Sequence, residues 1–233
     1  MSWYEDFLFS NASIFADAGV KAIKVQDETR EVGAASERTV ARMAALGRGF
    51  RKAFPEIELG IIVQAHDARA PLAIADAADA DFIRLKVFVG AAVNAEGLRP
   101  GLGVEATQYR EMIGRTDIAI YADVHDRTAH PLVPVAHETA ALWAESAGAD
   151  AIVITGASFD DSLARVVAAR QAGVQAPIVI GGGITEQNVG SALDCADAVV
   201  VSTALRREGA ALDDMRLWDR DKVLRLMEAA QPQ

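Results

Sequence analysis

A single cysteine, Cys195, in 233 residues excludes a disulfide framework, and its setting in ALDCADAVVV reads as a small buried thiol rather than a nucleophile. Aromatic residues are scarce, at 6%, so a core must be built from Ala, Val, Ile and Leu. With 51% of residues hydrophobic, such a core is available without disulfide or metal staples. No apolar run approaches a bilayer span, and no charged-then-apolar leader opens the chain. The expectation is a soluble, cytoplasmic protein without membrane insertion. Clustered Lys and Arg are also missing. A net charge of −10 speaks against a nucleic-acid or anionic-membrane partner, since both need basic clusters to displace counterions. A small phosphorylated metabolite stays open as a partner, because backbone amides can hold one phosphate whatever the net charge. No Pro/Ser/Gly-rich or charged linker divides the chain, so residues 1–233 are expected to form one domain.

One local phrase recurs: ADAGVKAIKV (16–25), ADADFIRLKV (78–87), SAGADAIVI (146–154) and CADAVVV (195–201). Small residues and a turn end a helix, and a short β-branched run follows. Further strands are expected at 58–67, 117–126 and 176–182, with helices at 37–53, 134–147 and 160–172 and an acidic amphipathic helix at the start. Strands alternating with helices at this spacing predict a parallel sheet covered on its faces. Seven strands can be counted, and the chain opens on a helix where a barrel would open on a strand. The expected fold is a single (β/α)8 TIM barrel lacking its first strand, with an open doubly wound sheet as the competing topology.

Strand parity favours the barrel. Asp123 and His125 share one face of IAIYADVH, Gln64 and His66 share one face of IIVQAH, and Arg84 and Lys86 share one face of FIRLKV. Lys24 and Gln26 do the same in the first counted strand. The opposite faces are aliphatic and suit packing under helices. Isolated buried charges are costly, so the polar faces should meet, and a closed barrel gathers them at the mouth where barrel active sites sit.

Three groups of residues stand out. In GGGITEQN, Gly181, Gly182 and Gly183 expose backbone N–H groups and Thr185 is placed to cap a helix. After the last strand, Ser202 and Thr203 add hydroxyls and further N–H groups. These are the two turns with which β/α barrels often bind phosphate; the plainer reading is a tight turn and a cap. Asp123 and His125 suit acid–base work, against the plainer reading of inward polar residues bonded to neighbouring strands. A divalent metal on the pair is less favoured, because no HExxH-like spacing is present, and no cofactor is named by the sequence. Lys86, beside Arg84, would neutralise a substrate anion or, as a catalytic residue with a lowered pKa, act as base or Schiff-base amine, against the plainer reading of a structural ion pair with Asp123. Gln26, Gln64, His66 and Asp67 are expected at the same mouth as substrate-binding residues, with the irregular loop 88–101 covering it. His130 is expected in a loop that reaches back, and His137 on a helix exterior.

Taken in order, GIIVQAHDARAPLAIADAADADFIRLKVFVGAAVNAEGL, IYADVHDRTAHPL, DAIVITG, IVIGGGITEQNV and DAVVVSTALRREG resemble the BtpA family, also called BtpA/SgcQ, from Gly19 to Gly209. The resemblance implies a barrel of the ribulose-phosphate-binding type. It places the family's motifs on Asp123 and His125, on Thr155 and Gly156 as substrate-binding residues, on Gly181, Gly183, Thr185 and Asn188, and on Thr203, Leu205 and Gly209. The family is linked to photosystem I biogenesis through its founding member and occurs also where there is no photosynthesis. Its likeness to barrels that isomerise, epimerise or cleave sugar phosphates is analogy. Departures are a first strand carrying a His and a Pro-rich turn, which is missing; Gln26 and Asp27 where the family tends to Glu and Asn; Asp67 for Asn; and Arg127 and Thr128 for Lys and His. The change at Gln26 removes a candidate general base.

Residues and resemblance together predict a barrel that binds a sugar- or nucleoside-derived phosphorylated metabolite and moves a proton or cleaves a bond, as an isomerase, epimerase or lyase. The alternative is a non-catalytic assembly factor that uses the barrel as a protein scaffold. A sheet edge left open by the missing strand would favour a homo-oligomer.

Overall fold

Each recurrence of the repeated phrase marks a helix handing over to a strand in the computed structural model, which describes residues 1–125 and 127–231. In chain order the elements are α1 (Ser2–Asp17), β1 (Ala22–Gln26), α2 (Glu37–Ala53), β2 (Glu58–Ile62), α3 (Arg69–Ala78), β3 (Phe82–Leu85), β4 (Ala91–Asn94), β5 (Gly97–Pro100), α4 (Gly103–Met112), β6 (Ala119–Val124) and β7 (His130–Pro131). There follow α5 (His137–Ser146), β8 (Ala151–Ile154), α6 (Phe159–Gln171), β9 (Ile178–Ile180), α7 (Val189–Leu193), β10 (Ala198–Val199), a 3-10 turn at Thr203–Leu205 and α8 (Arg220–Ala229). The main sheet has seven strands in the order β1-β2-β3-β6-β8-β9-β10, and every neighbouring pair is parallel. It curls into a TIM-barrel-type α/β fold. No described helix is long and apolar enough to cross a membrane.

Three of the four helix-to-strand junctions at the repeated phrase share one polar clamp; the first has Lys21 where the others have the aspartate. The aspartate of the repeated phrase stands just before its strand and accepts the first or second amide of the preceding one: Asp81 from Leu59 N at 2.6 Å, Asp150 from Ile120 N at 2.8 Å, Asp197 from Ile178 N at 2.7 Å. Each carboxylate also takes an arginine from the helix before that strand, Arg51, Arg110 and Arg170 respectively. Those arginines in turn donate to carbonyls of the intervening turn, such as Ile57, Ile118 and Ala176. The clamp ties helix, strand and next strand at the N-terminal end of the sheet, away from the mouth.

Two apolar clusters follow from strand alternation. Ile61, Ile83, Ile120, Ile152, Ile154, Ile178 and Ile180 face the helices and are fully or nearly fully buried in the large core. Inside the curl lies a smaller group, Ala151, Val153 and Val179, with Tyr121 and Val200 packed on it. Phe82 stacks on Tyr121 with ring centroids 4.5 Å apart. Gly60 makes room for that plug, since a Cβ there would lie 2.2 Å from the Phe82 ring.

Two expectations need correction. The strands are shorter than the apolar runs: 58–67 becomes Glu58–Ile62 and 117–126 becomes Ala119–Val124, because their C-terminal ends leave the sheet to form mouth loops. Asp126, the last residue of the expected strand, lies outside the described residues. The loop 88–101 is not irregular: β4 and β5 form an antiparallel hairpin, and β7 joins β4 on its other side. His130 is therefore a strand residue opposite Val93 in that small sheet.

β1 and β10 are the two ends of the seven-strand order and do not pair with each other. On the outside, α1 and α8 bring the helical layer together across this seam. Asn11 of α1, 3% exposed, donates to Met215 O at 2.9 Å and accepts from Leu217 N at 3.0 Å. Trp218 packs against Phe7 and Phe15 of the same helix.

Candidate functional site

Above the Phe82–Tyr121 plug the inward faces turn charged, as parity predicts. Arg84 of β3 grips Asp123 of β6 at two points, Nε to Oδ2 at 3.0 Å and Nη2 to Oδ1 at 2.7 Å. Lys86 donates to the side-chain oxygen of Gln64, so the two-point partner of Asp123 is Arg84 rather than Lys86. Lys24 belongs to this layer too, because its neighbours Ile23 and Val25 pack into the helix-side core. Its ammonium is 3.4 Å from Gln26 Oε1, and Gln26 itself donates to Glu28. Burial, then the Arg84 guanidinium, lower the Lys24 pKa from 10.5 to about 8; Lys86 adds to this, while Asp123 and Glu28 oppose it. Lys24, Arg84 and Lys86 thus surround one buried carboxylate. An excess of positive charge in a partly desolvated site favours an anionic ligand.

The glycine turn comes up beside this layer. Gly181 N donates to Ile154 O at 2.8 Å. A Cβ at Gly181 would lie 2.2 Å from Thr155 Oγ1 and 3.3 Å from Arg84 Nη2; the position is bare because its neighbours fill the space. Gly182 faces open space and Gly183 has φ +78°, a conformation side chains resist. The turn after β10 lies next to it, since Val200 N donates to Ile180 O at 2.8 Å. Among the described residues, the N–H groups of Gly182, Gly183, Ile184, Ser202, Thr203 and Ala204 donate to no protein acceptor. Thr185 does not cap a helix as expected. Asn188 closes the turn instead, accepting from Thr185 N at 2.8 Å and donating to Gly183 O at 3.0 Å, and the short α7 starts only at Val189. Arg207 is turned away to Asp214, at 3.8 Å.

The other predicted residues divide. His125 leaves the extended path of β6 at φ +55°, which ends the parity that placed it beside Asp123. Its ring meets His137 edge-on, with centroids 4.5 Å apart. His137 is therefore not on a helix exterior: it opens α5, half-buried, with Arg165 Nη1 at 2.5 Å from its Nε2. Burial, and after it Arg165, hold both imidazoles below the usual histidine range. Asp67 is committed to its own turn, taking Arg69 N and Ala70 N on one oxygen and Ala35 N on the other. Asp27 likewise takes Thr29 and the Gln64 amide. Gly156 gives its N–H to Ser162 Oγ at 2.9 Å and lets the β8–α6 turn close, whereas Thr155 stands beside Gly181 at the mouth.

The hairpin roofs the mouth on the β2–β3–β6 side. Beneath it lies a cavity of about 170 Å³ bounded by Gln64, His66, Lys86, Asn94, Arg99 and Thr128. A smaller one, about 40 Å³, reaches Asp123, His125, Lys86 and Trp143. His66 fastens this roof, Nε2 standing 2.8 Å from Pro100 O, and burial lowers its pKa. The glycine turn and Ser202 line neither cavity.

The sequence profile of the BtpA family matches residues 1–232. The chain belongs to the BtpA family. It is 34% identical over 165 residues to the photosystem I biogenesis protein BtpA of Synechocystis sp., a stretch covering 68% of this chain and 57% of that protein. An uncharacterized protein of Archaeoglobus fulgidus is 31% identical over 203 residues, covering 86% of this chain and 76% of that one. Among solved structures, a native KDPGal structure superposes with a TM-score of 0.60 at 14% identity, covering 95% of this chain and 86% of that chain. Phosphoribosyl anthranilate isomerase in complex with reduced 1-(o-carboxyphenylamino)-1-deoxyribulose 5-phosphate gives 0.59 at 17% identity, covering 94% and 91%. At these identities the structural likeness is one of fold.

Of the expected site residues, Asp123, Thr155 and Gly181 gather around Arg84, while the ring of His125, which lines the small cavity with Asp123, meets His137. Lys24 was not among the site residues expected from sequence. Its inward parity was visible, but burial and the shared surroundings of three cations depend on strands far apart in the chain. The coupling of His137 to His125 was hidden for the same reason.

Proposed function

We propose that this BtpA-family barrel binds a small phosphorylated metabolite, sugar- or nucleoside-derived, and carries out proton transfer or bond cleavage on it. The observation that carries the reading is the set of unclaimed backbone N–H groups on the two adjacent turns, Gly182 to Ile184 and Ser202 to Ala204. Such groups at the C-terminal ends of adjacent barrel strands suit a phosphate. The Ser202 and Thr203 hydroxyls and the Arg84 guanidinium beside Gly181 supply further donors, and Lys86 adds charge. The phosphate ester named with the isomerase structure supports the same class of ligand by analogy of fold. Asp123, held by Arg84, positions the charged layer, and His125, whose pKa burial holds below the usual histidine range, is available for proton transfer at the edge of the smaller cavity.

The test is titration of the purified protein with inorganic phosphate, followed by phosphorus NMR, for the natural sequence and Gly182→Asp. Gly182 has room for a side chain, so the variant keeps its melting temperature while its carboxylate repels the anion. Loss of binding is expected; unchanged affinity removes the site. A scaffold role draws support from Val93, Leu98 and Leu132, which are 40%, 62% and 59% exposed on the outer face of the hairpin sheet, and from the Synechocystis relative, a photosystem I biogenesis protein. A scaffold would bind a protein through that face and tolerate Gly182→Asp.

A further inference from the structure

Lys24 is one of only five lysines in the chain, and it sits in unusual company. A lysine retained for structure alone usually pairs with a carboxylate when it leaves water. Lys24 does not: among the described residues it makes no ion pair, and its nearest acceptor is the amide oxygen of Gln26 at 3.4 Å. The carboxylate best placed to serve it, Asp123, is held at two points by Arg84. The charged groups facing it are Arg84 from β3, Lys86 just beyond the end of β3, Asp123 from β6 and Glu28 beyond the end of its own strand. Its strand, β1, and β10, which leads into the turn carrying Ser202 and Thr203, flank the same seam of the curled sheet, and Arg84 links its surroundings to Gly181.

We propose that Lys24 is an amine nucleophile that forms a Schiff base with the carbonyl carbon of a phosphorylated aldehyde or ketone. This deepens the phosphate-binding reading and rests on it for the phosphate half of the substrate. The neutral nitrogen adds its lone pair to the carbonyl carbon, and the carbon–oxygen π pair moves to oxygen. The oxygen then leaves as water with the two protons given up by the amine, so one C=N replaces one C=O with no change in oxidation state. Protonation of the imine gives an iminium that withdraws electrons from the neighbouring carbon, which eases loss of a proton there or cleavage of the next bond. The environment already described keeps the amine half neutral near pH 8. An ordinary lysine with a pKa of about 10.4 is then less than ~1% neutral, which gives Lys24 an advantage of roughly a hundredfold in reactive form.

The experiment treats the full chain at pH 8 with dihydroxyacetone phosphate, or with unphosphorylated dihydroxyacetone, and sodium cyanoborohydride, which reduces any imine to a stable amine. Peptide mass spectrometry then maps the adducts. Labelling of Lys24 at least ~tenfold faster than Lys21, Lys52 or Lys222 is expected. Its rate should fall as pH drops below 8, and Lys24→Arg should lose the adduct while keeping its melting temperature. Lys52→Met, at an exposed lysine in the last turn of α2, should still be labelled at Lys24, a control independent of the first variant. Equal labelling of all lysines, or none, overturns the proposal even if inorganic phosphate binds. Selective labelling of Lys24 by both reagents at one rate, with no phosphate binding, keeps the Schiff base and sinks the phosphate site instead.

Discussion

Gly181 illustrates how a single position is fixed by what surrounds it. The three glycines were legible in the sequence, and the conformational reason applies to Gly183, whose φ is +78°. Gly181 is bare for a different reason, because Thr155 Oγ1 and Val153 Cγ1 occupy the volume of a side chain. Neither neighbour could be assigned to it without the pairing of β8 and β9. Gly181→Ala should therefore destabilise the fold by about 1–3 kcal/mol through overpacking. Thr155→Ala removes the hydroxyl that a new methyl would strike. In urea unfolding the double variant should recover part of the loss, giving a coupling of about 1 kcal/mol between the two positions. Strict additivity would mean that the close approach is not what keeps Gly181 a glycine. Parity likewise identified Asp123, Arg84, Lys86 and Gln64 as mouth residues. It could not pair them, since pairing depends on side-chain reach across strands, and it could not foresee the left-handed backbone at His125, which ends the alternation while the side chain still lines the small cavity with Asp123.

At the scale of elements, the repeated phrase was the most readable signal in the chain, and the structure explains why it repeats. Asp81, Asp150 and Asp197 each hold a helix arginine and a strand amide, so the phrase carries the geometry of the αβ junction as well as its turn. Helix 37–53 was readable to the residue because Ser36 caps it, accepting from Thr39 N. The β4–β5 hairpin was not read. Its strands are four residues each and rich in Ala, Gly and Pro, so alternation is faint; the signal present was Asn94, whose side chain accepts from Glu96 N, with Gly97 at φ +110°, a turn chemistry known for such loops. The clamp can be tested where the sheet centre makes it most informative. Asp150→Ala leaves Ile120 N–H and the Arg110 guanidinium without their shared acceptor, and should cost about 1–3 kcal/mol in urea unfolding. Asp150→Asn keeps an acceptor for the amide and gives up the ion pair, which is partly exposed and worth about 1 kcal/mol or less. Equal losses in the two variants would assign the clamp's stability to the arginine alone.

For the molecule as a whole, the decisive feature is a curled sheet whose first and last strands do not pair. Seven strands and an opening helix were both legible; how the ring of helices closes over the seam was not, because it depends on Asn11 meeting residues more than two hundred positions later. That asparagine is 3% exposed and satisfies three backbone groups: it donates to Phe7 O and Met215 O and accepts from Leu217 N. Around it Phe7, Phe15 and Trp218 form the apolar part of the closure. The same seam separates Lys24 from the turn that carries Ser202 and Thr203, so looseness there would reach the charged layer. Asn11→Ala should lower unfolding free energy by about 1–3 kcal/mol, because a buried N–H and C=O lose their partners. Hydrogen exchange provides the local readout: the Leu217 amide should exchange faster in the variant, while Ile120, in the middle of the sheet, changes only with global stability. If Leu217 and Ile120 accelerate together and by the same free energy, the seam unfolds only with the whole molecule, and its closure by α1 is not a separate step of stability.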